Sequence, residues 1–308
     1  MKTFISCAGI LVMLFLYSCN NTADQHTVTQ NSTIVDSSST KTDTGNKKIV
    51  IERKKADSIS YHLDTMKHWL TAAGKGIDSI QERIVIAVNR TDKAGLRNMK
   101  TIIVPSDLNA DIAYYLPFPL SVPFLKDIHK ILFFSYPAQA FAAYENGELV
   151  YTGQTNMGRK KDPTPTGLYY TNWKAEETKS TFNDEWDLKW NFNIENKEGI
   201  GFHQYALPGY PASHSCLRLT ETDAKYLYSW ADQWILKGTD NIIANGTPLI
   251  VFGTYNFGGP KPWLQLVSNP HAMDISADTL QALAQPHLDE ILMQQRKRTQ
   301  AEPANANK

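Results

Sequence analysis

Two histidines and one cysteine lie close together in this sequence and could carry out acyl transfer. Cys216 belongs to the run Ser213-His214-Ser215-Cys216-Leu217-Arg218-Leu219, and His203 precedes Cys216 by thirteen residues. A free thiol has a pKa of about 8.5, whereas its thiolate is the strong nucleophile. A neighbouring imidazole can take the thiol proton and later return it to a leaving amine. The pattern therefore predicts Cys216 as a nucleophile with a histidine base.

The residues that follow Cys216 predict a helix and an anion-binding turn. Thr220 is placed as the N-cap of a helix over 221–236, with Glu221 and Asp223 in its first turn. Backbone N–H groups on the turn before such a helix could hold an oxyanion. Arg218 carries a planar guanidinium that suits carboxylates.

A zinc site is the alternative for the same residues, since His203, His214 and Cys216 could supply three ligands. The sequence contains neither H-E-x-x-H nor C-x-x-C, and the motif has no carboxylate beside it. We therefore predict no metal and no other cofactor.

The use of cysteine supports a reactive thiol. The chain has three cysteines, and Cys7 lies in the apolar N-terminal stretch. Cys19 follows Leu16-Tyr17-Ser18, which resembles the lipobox of bacterial lipoproteins. If Cys19 carries lipid, Cys216 is the only thiol of the mature body and has no disulfide partner within the chain. A buried, inert cysteine is the alternative.

The N-terminus is predicted to direct export. Residues 1–18 combine an early Lys2 with a short apolar stretch, as in a secretory signal peptide. Residues 19–48 are rich in Thr, Ser, Asn and Asp and predict a flexible tether. We expect a body that is held on a membrane by acyl chains and works in the periplasm. A plain signal peptide cleaved nearby is the alternative.

Composition excludes little beyond nucleic-acid binding. The chain of 308 residues is 42% hydrophobic, and Lys+Arg equals Asp+Glu at 31 each. This is ordinary globular composition, with no basic excess to steer the protein onto nucleic acid.

The sequence predicts two regions whose helices and strands would position the site. Residues 49–123 predict a small α+β region, with an amphipathic helix over 56–73 and a Pro-rich linker over 117–123. Within it, residues 88–105 weakly resemble the second half of a LysM glycan-binding module; a purely structural subdomain is the alternative.

The region 130–254 predicts a mostly β domain. Short apolar or alternating runs predict strands at 130–136, 138–144, 148–153, 167–171 and 248–252. Asn146-Gly147 predicts a tight hairpin between two of them. Residues 255–308 predict a peripheral tail that is helical near 276–297.

The motif S-H-S-C-L-R-L, with the upstream Gly201-Phe202-His203, resembles the S/T-H-G-C-x-R signature of the L,D-transpeptidase catalytic domain (YkuD) family. Thr164-Pro165-Thr166-Gly167 resembles the T-P-x-G element of the same family. The resemblance covers about 131–253. It implies a mixed or antiparallel sheet sandwich with one main helix after the cysteine motif.

The resemblance also implies roles for individual residues. Cys216 would be the acylated nucleophile and His203 the general base, with the carbonyl of Gln204 as a candidate to orient His203. His214 and Arg218 would shape the site around Cys216. The N–H groups of Ser215 and Cys216 would form the oxyanion hole next to Ser213.

Two positions depart from the family pattern. Ser215 stands where Gly is usual, so a positive φ at this position would cost about 1 kcal/mol. Gln204 stands where Gly or Ser often follows the upstream histidine. Both departures concern the fine geometry of the site.

The activity that the resemblance implies is cysteine-dependent transpeptidation of peptidoglycan stem peptides through a thioester, in cell-wall organisation and cell shape. One alternative is an L,D-carboxypeptidase or exchange enzyme that uses the same site. The other is a catalytically silent lipoprotein that binds peptidoglycan.

Overall fold

The computed structural model describes residues 51–56, 58–74, 78–180 and 187–305. The predicted signal peptide and the whole predicted tether, with Cys19, lie outside the described residues. Residues 47–308 belong to one compact unit, which contains every element named below.

The strands are β1 (Tyr61–Thr65), β2 (Thr101–Pro105), β3 (Ile131–Ser135), β4 (Ala140–Glu145), β5 (Glu148–Gln154), β6 (Gly167–Tyr170), β7 (Lys174–Lys179), β8 (Asp187–Glu195), β9 (Ile200–Gln204), β10 (Leu217–Leu219), β11 (Ile235–Lys237), β12 (Asn241–Ala244) and β13 (Pro248–Phe252). The α-helices are α1 (Met66–Ala73), α2 (Ser79–Val88), α3 (Lys93–Arg97), α4 (Glu221–Trp230), α5 (Ala277–Ala284) and α6 (Leu288–Asn305).

The N-terminal region forms a two-stranded antiparallel sheet, β1 with β2, and α1, α2 and α3 lie between these strands in sequence. The helix predicted over 56–73 is wrong in its first half, because β1 occupies Tyr61–Thr65. Tyr61 is buried while Leu63 is 53% exposed, so the apolar spacing there does not follow one helical face. Pairing with β2 decides the structure of this segment.

A five-stranded sheet runs in the order β5-β4-β3-β13-β6. The predicted strands in this sheet are confirmed to within a few residues, and β13 has the predicted bounds. Asn146 and Gly147 turn the chain between β4 and β5 with φ of +49° and +80°, as predicted for a tight hairpin. In β3, Ile131 and Phe133 pack into one core cluster and the alternate residues pack into another.

A four-stranded sheet runs in the order β10-β9-β8-β7 and packs against the five-stranded sheet. Its last pair, β10 with β9, is parallel, whereas the other pairs are antiparallel. Phe202, Leu217 and Leu219 point into the core that the two sheets share. The opposite positions of the same two strands carry the candidate site.

Helix α4 follows β10 directly and begins as predicted, because the Thr220 hydroxyl accepts the N–H of Asp223. The helix ends at Trp230, earlier than the predicted Leu236. Ala231 adopts an extended conformation (ψ 148°), and Ile235 instead pairs in β11 with β12.

The C-terminal segment, predicted as a peripheral tail, contributes to the core. Trp263, Leu280, Ala284 and Ile291 are almost fully buried. The last three pack into the same cluster as Phe133 on the outer face of the five-stranded sheet. The Pro-rich segment 117–123 also differs from a linker, since it contributes buried side chains to this cluster.

Arg90 joins three parts of this unit. It is buried with φ +55°, and its guanidinium donates to the carbonyls of Ala87, Val88 and Ala138. The guanidinium also lies 5.9 Å from the ring of Trp263. Burial lowers its pKa to about 10. Arg90 therefore ties the end of α2 to the five-stranded sheet and to the C-terminal segment.

The predicted fold class is confirmed: a mostly β domain of mixed and antiparallel sheets, with one main helix after the cysteine motif, follows a small α+β region. Within the described ranges, no helix has the length and apolar character needed to cross a membrane.

Candidate active site

The parallel pairing of β9 and β10 brings the two halves of the motif together. Arg218 lies directly opposite His203 in the register. Cys216 lies immediately before β10, at the end of the turn that leads into this strand. Cys216, His203, His214, Arg218 and Ser213 line one cavity. The structure thus places together five of the residues that the sequence predicted for this site.

His203 is held in one tautomer. Its Nδ1 lies 3.0 Å from the carbonyl oxygen of Gln204, the residue predicted to orient it. A carbonyl only accepts, so in the neutral ring Nδ1 carries the hydrogen and Nε2 keeps a lone pair. His203 is buried, and this burial lowers its pKa to about 4 against the opposing effect of the Gln204 carbonyl. The imidazole is therefore neutral over the physiological pH range.

Cys216 is half-buried, and its thiol donates to the carbonyl of Gly199 at an Sγ–O distance of 3.7 Å. Burial raises the pKa of this thiol, while the backbone of Gly201 and the charge of Arg218 oppose that effect. A neutral thiol and a neutral imidazole that line the same cavity match base-assisted attack rather than a preformed thiolate–imidazolium pair.

Ser215 has φ +79°, as expected for a position where glycine is usual. Its hydroxyl donates to the carbonyl of Pro163 at 3.2 Å, and its own carbonyl accepts from the hydroxyl of Thr164 at 2.8 Å. Thr164 is buried and also accepts the N–H of Gly158. The Thr-Pro-Thr-Gly segment therefore supports the turn that precedes Cys216.

Ser213 and His214 lead into that turn. Ser213 is buried, with its N–H bonded to the carbonyl of Met157 and its carbonyl bonded to the N–H of Arg159. The Nε2 of His214 lies 3.9 Å from the Asp162 carboxylate. Burial is the largest cause of the lowered pKa of His214, and Arg159 adds to it.

Arg218 lies over the ring of Tyr205, with 4.4 Å between the guanidinium carbon and the ring centroid. Its Nη1 donates weakly to the carbonyl of Ala206 at 3.5 Å. The stacking fixes the guanidinium at the edge of the cavity that contains Cys216.

Sequence reasoning missed five residues of the cavity: Ser180, Leu188, Glu198, Gly199 and Tyr205. Tyr205 follows His203 by two positions, so the alternation of β9 could have indicated it. The others depend on how β8 pairs with β9, which no local signal encodes. Gln204 does not line this cavity; only its carbonyl serves the site, through His203.

The alternative considered for His203, His214 and Cys216 is a zinc site. In the part of the chain that the structure describes, no group of three or more His, Cys, Asp or Glu residues is arranged to hold a metal ion.

Comparison with known proteins shows what the region around the site is similar to. Residues 129–251 match the family model described as the L,D-transpeptidase catalytic domain (YkuD). No curated protein gives a significant match.

Among solved structures, an L,D-transpeptidase from Stackebrandtia nassauensis is 20% identical, covering 41% of this chain and 56% of that one, with a TM-score of 0.33. An L,D-transpeptidase from Mycobacterium smegmatis is 18% identical over 41% and 59% of the two chains (TM-score 0.33). One from Mycobacterium tuberculosis H37Rv is 22% identical over 41% and 58% (TM-score 0.31). The matched part thus spans less than two thirds of each of these proteins. The family match is confined to residues 129–251, which are similar to the L,D-transpeptidase catalytic domain of the YkuD family.

Proposed function

We propose that the protein is a cysteine-dependent L,D-transpeptidase that acts on the stem peptides of peptidoglycan. One observation carries the proposal. Cys216 lines the same cavity as His203, whose Nδ1 is held by the Gln204 carbonyl so that Nε2 can accept a proton. The match of residues 129–251 to the L,D-transpeptidase family supplies the substrate class.

The first half-reaction forms a thioester. Nε2 of His203 takes the proton of the Cys216 thiol, and sulfur attacks the carbonyl of the third, L-centred residue of a tetrapeptide stem. The N–H groups of Ser215 and Cys216 stabilise the oxyanion of the tetrahedral intermediate. The bond to the terminal D-alanine breaks, and the imidazolium of His203 protonates the leaving amine.

The second half-reaction transfers the acyl group. A side-chain amine of a second stem attacks the thioester carbonyl, with His203 as the base. The C–S bond breaks, the thiol regains a proton, and a 3-3 cross-link forms. Arg218 and His214 shape the site, and the positive charge of Arg218 suits the carboxylates of a stem peptide.

Two alternatives use the same chain differently. With water or a free amino acid as the acceptor, the site would act as an L,D-carboxypeptidase or exchange enzyme. The strained Ser215 in place of the usual glycine keeps a catalytically silent peptidoglycan-binding lipoprotein as the second alternative.

The test is covalent labelling of the purified mature protein, followed by intact-mass measurement. With a carbapenem or a tetrapeptide stem, we expect the wild-type protein to gain one adduct. Cys216→Ala should lose it completely, because no other thiol remains in the body after Cys19. Absence of adduct and turnover in the wild-type protein, with binding to peptidoglycan retained, would favour the silent binder.

Muropeptide analysis then separates transpeptidation from trimming. Cross-linked dimers point to the transpeptidase, and tripeptide stems alone point to the carboxypeptidase.

The cell-envelope location belongs to the same proposal. We propose that residues 1–18 direct export and that lipid on Cys19 holds the catalytic domain in the periplasm. Cys19→Ser is a matched control for Cys216→Ala. It should release the protein from the membrane fraction and leave the covalent adduct on Cys216 intact.

A further inference from the structure

Among the described residues, Arg218 on β10 is the single Lys or Arg that lines the cavity around Cys216. Arg159 lies on the loop that supports the Ser215 turn, outside this lining, and forms an ion pair with Asp162. Glu198 is the single carboxylate among the described residues that line the cavity. It belongs to the turn between β8 and β9, immediately before Gly199, whose carbonyl accepts the thiol of Cys216.

Glu198 is presented on a fixed turn. The carboxylate of Glu195 accepts the N–H groups of Lys197 at 3.0 Å and of Glu198 at 2.5 Å, so its own charge is used within the turn. Gly199 has φ +66°, a conformation that side chains disfavour, and it redirects the chain into β9. Glu198 is exposed, and no Lys or Arg of the described ranges forms an ion pair with it. Its negative charge is thus available to a ligand.

We infer that Glu198 is a specificity-determining residue that selects an acceptor bearing an ammonium group over water. This inference rests on the proposed function. The guanidinium of Arg218 suits a carboxylate of the donor stem, which leaves the Glu198 side of the cavity for a cationic acceptor.

The chemistry of the second half-reaction agrees with such a role. The acceptor arrives as an ammonium ion and loses one proton to solvent before it attacks. Its nitrogen then becomes positively charged as the C–N bond forms, and a nearby carboxylate stabilises that charge. When the C–S bond breaks, the second proton passes through His203 to the sulfur. The products are an amide and the free Cys216 thiol.

The experiment measures how the acyl-enzyme divides between two fates. Wild-type protein, Glu198→Gln and the control Glu177→Gln are each given a tetrapeptide donor. Nα-acetyl-lysine amide serves as the ammonium acceptor. Glu177 is also an exposed carboxylate, but it lies on β7 and outside the cavity. The ratio of amide to hydrolysed product is read by mass spectrometry, and acyl-enzyme formation is timed separately.

We expect Glu198→Gln to lower the ratio of amide to hydrolysed product by up to about five-fold, the upper end of the range for one exposed charge pair. The rate of acyl-enzyme formation should not change, and Glu177→Gln should match the wild type. Transfer to hydroxylamine, which is uncharged at neutral pH, should not depend on Glu198. High ionic strength should also lower the ratio of amide to hydrolysed product in the wild-type protein, because salt screens the charge of Glu198. This measurement tests the role of the charge without changing a residue.

The outcomes separate the two hypotheses. An unchanged amide ratio in Glu198→Gln, or an equal loss with hydroxylamine, would overturn the role of Glu198 and leave the transpeptidase proposal standing. Failure of the wild-type protein to form an acyl-enzyme would overturn both.

Discussion

Strand β3 of the five-stranded sheet and strand β9 of the four-stranded sheet are both largely buried, yet their alternate positions differ in chemistry. In β3 of the five-stranded sheet, the residues on both faces are apolar apart from Ser135, and each face packs into a core cluster. In β9 and β10, one face is equally apolar, whereas the other carries His203 and Arg218, and Cys216 lies directly before β10. Burial therefore does not distinguish structural from functional strands here. The strands differ in the side chains on one face, which are apolar in β3 and belong to the candidate site in β9.

The largest effect should come from the shared core. Phe134 is fully buried and stacks between Phe141 and Phe202, at centroid distances of 5.4 and 6.4 Å, so it contacts both sheets. We expect Phe134→Ala to lower the free energy of unfolding by about 3–5 kcal/mol, through lost contacts and a residual cavity. Urea denaturation measures the loss.

The stability of Cys216→Ala can be compared with that of Phe134→Ala, because Cys216 lies in the cavity and not in the core. It removes one half-buried atom, so the loss of unfolding free energy should stay below about 1 kcal/mol. Similar losses for the two variants would mean that the site face is as important to stability as the core face.

The next effect concerns His203 and pH. Its pKa is lowered in the folded protein to about 4, from an ordinary value of about 6.5. Between these values the unfolded chain binds more protons than the folded one, so stability falls as the pH is lowered from about 6.5 to about 4. The full change is on the order of 3 kcal/mol.

His203→Asn keeps a donor for the Gln204 carbonyl and should flatten this part of the stability profile. Denaturant titrations of both proteins across the range measure it. An equally steep decline in the variant would assign the effect to other groups.

A smaller effect than that of His203 should appear at Ser215. Ser215→Gly removes the strain of φ +79°, and Ser215→Ala keeps the strain but loses the long hydrogen bonds of the hydroxyl. We expect the glycine variant to be more stable than the alanine variant by about 1 kcal/mol, with the wild type between them. Thermal denaturation ranks the three proteins. Equal stability of the Gly and Ala variants would contradict a strained turn.

Much of the site could be predicted because its residues are close in sequence. Cys216, Arg218 and Ser213 lie within one short run of six residues, so a single turn brings all three to the same cavity. The Gln204 carbonyl could be proposed as the partner of His203 because it is the next residue along the chain. Thr220 was predictable as an N-cap because capping depends on a few neighbouring residues.

The remaining parts depend on contacts between distant segments. Glu198 and Leu188 reach the cavity because β8 pairs with β9. The strand Tyr61–Thr65 exists because β2, some forty residues later, pairs with it. Leu280 and Trp263 looked peripheral because their Gly- and Pro-interrupted surroundings give no sign of the surface that they cover.

The contacts of Arg90 limit where a shorter fragment of this chain can begin and end. A fragment limited to residues 129–251 would lack Arg90, Trp263 and the C-terminal helices. The carbonyl of Ala138 would lose its donor, and the outer face of the five-stranded sheet would be open to water. For expression and crystallisation, the sensible boundaries are those of the compact unit, residues 47–308, rather than those of the family match.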